Sequence, residues 1–89
     1  MPFRKVQSGN ATPHNEGRTW VGTVTLSSGT ATITYADDLP GVRGDLDEPP
    51  VITVTGPTGG ETVNSAGTTQ ATVGGDTTDT VNVVIYEGL

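Results

Sequence analysis

Trp20-Val-Gly-Thr-Val-Thr-Leu-Ser-Ser-Gly-Thr-Ala-Thr-Ile-Thr-Tyr35 alternates apolar and hydroxyl side chains on either side of Ser28-Gly29. A two-residue turn at Ser28-Gly29 sets Leu26 opposite Ala31, Val24 opposite Ile33 and Gly22 opposite Tyr35. Thr25 then faces Thr32 and Thr23 faces Thr34. One face of the ribbon is apolar and the other is a ladder of hydroxyls, the period-2 pattern of a half-buried antiparallel sheet. A three-residue loop would set Leu26 opposite Thr32 and mix the faces. Gly29 supplies the positive φ of a tight turn. The stretch is therefore expected to be a β-hairpin.

The rest of the chain follows the same grammar. Val51–Thr55 reads as a strand whose entry is fixed by Pro49-Pro50. Gly56–Gly60 is a turn, Glu61–Asn64 and Thr69–Val73 are short strands around Ser65-Ala-Gly67, and Gly74–Asp79 is another turn. Val81–Tyr86 is the last strand. Val81, Val83 and Ile85 point one way and Asn82, Val84 and Tyr86 the other, which predicts burial on both faces. Ala36–Pro50 is too rich in Pro and Gly for a helix and reads as a long acidic loop facing solvent. No segment carries a helical apolar stripe. The expected fold is all-β: a small antiparallel β-sandwich or barrel of about six to seven short strands with an extended N-terminal arm. Residues 1–18 form the arm, with a short strand at Phe3–Gln7, and residues 19–89 the sandwich. The expected core joins Val24, Leu26, Ile33 and Tyr35 to Val51, Val54, Val81, Val83 and Ile85. Trp20 seals one end or joins a subunit contact.

Composition narrows the function. The 89 residues include 17 threonines and 13 glycines but four aromatic side chains and no cysteine. So small a core implies that association adds to stability by mass action. The net charge of −6 is unevenly spread, +2 over residues 1–36 and −8 over residues 37–89. An acidic body disfavours nucleic acid, whose phosphates need clustered Lys and Arg. The Asp- and Thr-rich, lysine-poor style resembles that of proteins from extremely salt-loving archaea and their viruses, where a carboxylate surface stays hydrated in high salt; an ordinary acidic protein is the alternative. After Met-Pro-Phe-Arg-Lys no apolar signal segment follows, and no run approaches the ~20 apolar residues of a membrane span. The chain is expected to be a complete small gene product.

Catalysis has little to stand on, and no enzyme and no cofactor or metal are expected. The single histidine, His14, sits in the arm, where a solvated or interface-packed role is expected over a general base. There is no nucleophile elbow and no phosphate-cradling loop. Asp37, Asp38, Asp45, Asp47 and Glu48 offer oxygen ligands for calcium, but without EF-hand spacing a solvated acidic loop is the simpler expectation. Arg43-Gly44-Asp45 spells an integrin-binding tripeptide, which chance explains in a chain rich in Gly and Asp. The arm is the stronger candidate. Phe3, Arg4, Lys5 and Val6 join an apolar ring to cationic charge and suit an acidic partner surface, with Phe3 as anchor; Trp20 is the further partner-binding candidate.

Gly22-Thr-Val-Thr-Leu-Ser-Ser-Gly-Thr-Ala-Thr-Ile-Thr-Tyr35, Pro49-Pro50-Val-Ile-Thr-Val54 and Val81-Asn-Val-Val-Ile-Tyr86 together resemble the small β-sandwich modules of tailed-virus appendages, which share an H-type-lectin-like plan. Those modules read G-t-v-t-L-s-g-G-t-a-t-V-t-F, a loop, P-P-x-V-x-V-t and a final apolar strand ending in an aromatic. The likeness covers residues 18–87 and implies a homo-oligomer, trimers being usual, that serves as a fibre tip, turret or capsid decoration. Combined with the acidic composition, it implies a virion protein of a virus infecting a halophilic archaeon, assembled in the host cytoplasm. The expected function is a structural virion β-module that binds itself and other virion proteins, such as the major capsid protein, through the basic arm, with no nucleic acid and no membrane insertion. A receptor- or glycan-binding module at a fibre tip is the alternative. It would place its binding residues in the loops at 36–50 or 56–60.

Overall fold

The computed structural model describes residues 3–6 and 18–87. Seven strands carry the chain: β1 (Phe3–Val6), β2 (Arg18–Thr25), β3 (Thr30–Thr34), β4 (Val51–Thr55), β5 (Thr62–Ala66), β6 (Gln70–Gly74) and β7 (Thr80–Glu87). One helical turn, α1 (Tyr35–Asp38), follows β3. The strands form two antiparallel sheets ordered β1-β2-β7-β4 and β3-β6-β5. This is the expected all-β sandwich. It shares the four-plus-three division of the immunoglobulin constant domain, but β5 and β7 have exchanged places relative to that topology.

The 20–35 ribbon departs from expectation. The turn is present: Ser28 and Gly29 both have positive φ, 54° and 84°, the signature of a type I′ turn. Ser27 N–H donates to the Thr30 carbonyl at 2.8 Å, and Thr30 N–H returns a bond at 3.2 Å. Pairing stops at that single bridge. β2 pairs with β7, Val24 opposite Val81, and β3 pairs with β6, Ile33 opposite Ala71. The hairpin is therefore an arch between sheets. The reason lies at its tip. Leu26 N–H donates to Asp79 O at 2.9 Å, Gly29 N–H to Thr77 O at 2.8 Å, and Gly75 N–H to Gly29 O at 3.0 Å. The connection between β6 and β7 also passes from sheet to sheet, so two crossings stack at one end and bond to each other. Gly74, expected in a turn, closes β6 instead; a Cβ there would lie 2.7 Å from Asn64 Nδ2.

The core holds Phe3, Trp20, Leu26, Ile33, Tyr35, Leu39, Val42, Leu46, Ala71, Val73, Val81, Val83 and Ile85, with Val24, Ile52 and Val54 partly buried against it. Val51 was expected inside, but strand alternation cannot turn both Val51 and Val54 inward. The chain buries Ile52 with Val54 and leaves Val51 64% exposed. β7 is one-sided: Val81, Val83 and Ile85 are buried while Val84 and Tyr86 are exposed.

Residues 35–50 are also more than a solvated loop. Leu39, Val42, Leu46 and Pro50 are buried, while their acidic neighbours Asp37, Asp45, Asp47 and Glu48 are exposed. The segment plugs the end of the sandwich opposite the stacked crossings. Trp20 Nε1 donates to Pro40 O at 2.9 Å, Leu46 N–H to Thr68 O at 2.8 Å, and the Tyr35 hydroxyl to Gly67 O at 3.0 Å. Arg18 lies 5.1 Å from the centre of the Trp20 ring, donates to Gly41 O at 3.2 Å and pairs with Glu87 at 2.5 Å. The bond to Glu87 raises the Arg18 pKa further, and burial opposes it.

Two outcomes test this architecture. Gly29→Ala forces a Cβ into the left-handed region, 3.1 Å from Gly75 O, and should cost about 1–3 kcal/mol by urea denaturation. Leu26→Ala in the same arch should cost about 2–5 kcal/mol. The second concerns pH. Burial raises the Tyr35 phenol above its ordinary value. The folded chain then holds that proton where the unfolded chain, titrating near pH 10, has begun to lose it. The contribution is complete below about pH 10 and is lost as pH rises through the higher folded value. Tyr35→Phe should be less stable at neutral pH, having lost the bond to Gly67, and should show a flatter alkaline decline in melting temperature.

Candidate interaction surface

Strand alternation decides which side chains of the four-stranded sheet face away from the core. With Phe3, Trp20, Ile52, Val54, Val81, Val83 and Ile85 turned inward, the outer face carries Arg4 and Val6 from β1 and Thr19, Val21, Thr23 and Thr25 from β2. β7 adds Thr80, Asn82, Val84 and Tyr86, and β4 adds Val51, Thr53 and Thr55. The registers align these in rows. Val6, Thr19, Tyr86 and Val51 form one row across all four strands, and Arg4, Val21, Val84 and Thr53 form the next. Val51, Val84 and Tyr86 are 64%, 39% and 45% exposed. They form one apolar patch with Val6 and Val21, which are half-buried.

The charge distribution sets this face, like that of the three-stranded sheet, apart from the ends of the sandwich. Among the described residues its only charged side chain is Arg4, and it holds no carboxylate. Asp37, Asp38, Asp45, Asp47 and Glu48 lie on α1 and the plug. Glu61, Asp76 and Asp79 lie on connections between sheets, and Glu87 ends β7 in its pair with Arg18. A chain with net charge −6 repels its own copies and other acidic bodies. Among the described residues both outer sheet faces are free of carboxylates, and that of the β1-β2-β7-β4 sheet also gathers the exposed apolar side chains Val51, Val84 and Tyr86.

The residues expected to meet a partner divide in two. Phe3 and Trp20 belong to the chain's own core, 3% and 0% exposed. Phe3 lies opposite Gly22 at the sheet edge and Trp20 holds the plug, so both rings are spent on packing within the chain. Arg4 and Lys5 are exposed and Val6 half-buried, which leaves these three on the surface of β1. The remaining arm, 7–17, including His14, lies outside the described residues. Sequence reading missed the outward pair Val84 and Tyr86 as a surface because an apolar residue in both phases of a strand signals two-sided burial. It missed the plug because Leu39, Val42 and Leu46 are scattered among acidic and turn residues.

The acidic segment offers little chemistry in this arrangement. Among the described residues no three carboxylate or histidine side chains converge. Asp45, the acidic member of Arg43-Gly44-Asp45, accepts a hydrogen bond from Thr69 Oγ1 at 3.0 Å, and Asp38 accepts one from Thr34 N–H at 2.9 Å. No helix among the described residues is long and apolar enough to cross a membrane. Comparison with protein-family models, with curated proteins and with solved structures finds no significant match to this chain.

With the carboxylates gathered at the ends of the sandwich, salt should stabilise the fold by screening their mutual repulsion. The melting temperature is expected to climb from low to molar sodium chloride. A flat profile would mean that the acidic ends carry no net electrostatic strain.

Proposed function

We propose that this chain is a structural assembly module, non-enzymatic, that associates with copies of itself and with other proteins of a larger particle. The single observation that carries the reading is the outer face of the β1-β2-β7-β4 sheet, with Val51, Val84 and Tyr86 uncovered on a face without a carboxylate. Exposed apolar area gathered into a patch marks interaction surfaces, and a small domain gains stability from a partner as the logarithm of partner concentration over the dissociation constant. Arg4 and Lys5, at the β1 edge of that sheet, add positive charge suited to an acidic partner.

The particle we have in mind is a virion. That part of the proposal rests on the resemblance of the 22–35, 49–54 and 81–86 segments to tailed-virus appendage modules and on the acidic, lysine-poor composition suited to a halophilic archaeal host. The contact surface is then the sheet face with Arg4 and Val6, flanked by Lys5 at the β1 edge, while Phe3 and Trp20 hold β1 and the plug in place behind it. A glycan-binding role has less support. Phe3, Trp20 and Tyr35 are buried, and the exposed ring, Tyr86, stands on a strand and not in a loop.

Light scattering behind size exclusion at molar salt tests the reading. The expected result is a mass above that of the 9.1 kDa chain, growing with protein concentration. A folded monomer across the whole concentration range would count against self-assembly.

A further inference from the structure

A sandwich with two open sheets has four edge strands, and each must be kept from pairing with a stray strand. Three of the four are guarded. β1 carries Arg4 and Lys5. β5 is broken by a bulge between Val63 and Ser65, with Asn64 in it. β3 is occupied at both ends. Its Tyr35 N–H continues the ladder to Thr69 O, so Thr30, Thr32 and Thr34 turn their backbone groups outward. Thr30 is bonded to Ser27 and Thr34 N–H to the Asp38 carboxylate, which leaves Thr32 alone.

β4 has no such device. Val51-Ile-Thr-Val-Thr55 contains no charge, proline, glycine or bulge, and among the described residues it pairs with β7 only. Its free groups can be counted. Leu26 N–H bonds to Asp79 O, so in the β2–β7 ladder the odd-numbered residues of β7 exchange bonds with β2 and the even-numbered ones turn to β4. Tyr86, Val84 and Asn82 therefore bond to Val51, Thr53 and Thr55. Ile52 and Val54 are left with their N–H and C=O groups pointing away from the sheet. Both side chains are only partly buried, at the open side of the core.

We infer that β4 is the pairing edge for a second copy of this chain, joined antiparallel about a two-fold axis at Thr53. The inference rests on the self-association proposed above and names its geometry. In this register Ile52 of each copy lies opposite Val54 of the other, and the two pairs use every outward backbone group of both strands. Their side chains, already on the core side, cover one another, and the two cores become continuous. Val51 falls opposite Thr55, and the two Thr53 residues meet in a non-hydrogen-bonded pair. The occupant is a copy and not an unrelated strand because the edge is self-complementary in this one register. It is also free of the carboxylates that separate two bodies of net charge −6. The result is an eight-stranded sheet whose two apolar outer patches flank the paired Thr53 residues.

The test uses the whole chain and its lack of cysteine. Thr53→Cys should cross-link into a disulfide dimer on mild oxidation, because a non-hydrogen-bonded pair sets the Cα atoms about 4.5 Å apart. Val51→Cys should not, its two copies being roughly 14 Å apart in this register. Thr53→Lys, which sets like charges face to face, should lower the concentration-dependent mass to the monomer with an unchanged circular dichroism spectrum. Thr32→Lys, the same change on the exposed β3 edge of the other sheet, should leave the dimer intact. Amide exchange should protect Ile52 and Val54 in the wild type and expose those two in Thr53→Lys. A wild-type oligomer that survives Thr53→Lys, or that Thr32→Lys breaks while Thr53→Cys fails to cross-link, overturns the β4 edge and leaves self-association standing. A wild type that is monomeric throughout overturns both.

Discussion

Once Ser28 and Gly29 take left-handed backbone, the chain reverses within four residues, and everything else in the molecule depends on where the two arms then go. Hydrogen bonds from Leu26 and Gly29 to Asp79 and Thr77 tie the turn to the crossing between β6 and β7. β2 must follow β7 and β3 must follow β6, so the arms part into opposite sheets. The core is what lies between them. Glu61 shows how closely the chain is drawn together near this end. One oxygen of its carboxylate is buried without a partner and stands where a Cβ on Gly56 would come within 2.7 Å. An unpartnered polar atom is costly, and it is tolerated here where segments from both sheets converge.

The arch also explains what could be read from the sequence and what could not. Alternation says which side chains of a strand share a face; it says nothing about which strand lies alongside. Val24 and Leu26 point to the core together with Ile33 and Tyr35 in a hairpin, and they do so equally well when the strands oppose each other across two layers. The turn, the inward residues of the arch and the strand class were therefore legible, as was the span of β4, which runs from Val51 to Thr55 as expected. Pairing was not, because it was decided by backbone bonds to residues 75–79, some fifty positions away in sequence. Burial at the ends was hidden for a different reason. Leu39, Val42, Leu46 and Pro50 follow no strand period, since a plug is held by contacts with Trp20, Thr68 and Gly67 and not by its own regularity.

Of the candidate surface, the charge was visible in advance and the location was not. The sequence shows an acidic second half, yet β4 and most of β7 belong to that half and carry almost none of its charge. The carboxylates gather on the plug and the connections, so folding sorts a gradient along the chain into a pattern in space: acidic ends, neutral sheet. The cationic residues Arg4 and Lys5 come to lie at the β1 edge through pairing with β2, which no local signal in residues 1–18 specifies. Phe3, expected as an anchor for others, is drawn inward by the same pairing.

That sorting bears on how a chain of this size can be both acidic and sociable. Carboxylates at the ends repel other copies along the strand direction, so end-to-end contact is the least favourable approach. Contact sideways, edge to edge or face to face, brings neutral threonine and valine surfaces together and leaves the acidic ends in water on both copies. The direction of assembly is then set by repulsion as much as by attraction. Threonine suits this arrangement: it favours strands, it offers a hydroxyl to water when alone, and its methyl packs when covered. A face built from threonine with a few valines and one tyrosine can stay soluble at low concentration and still close against a partner, which a face of leucine could not do without aggregating.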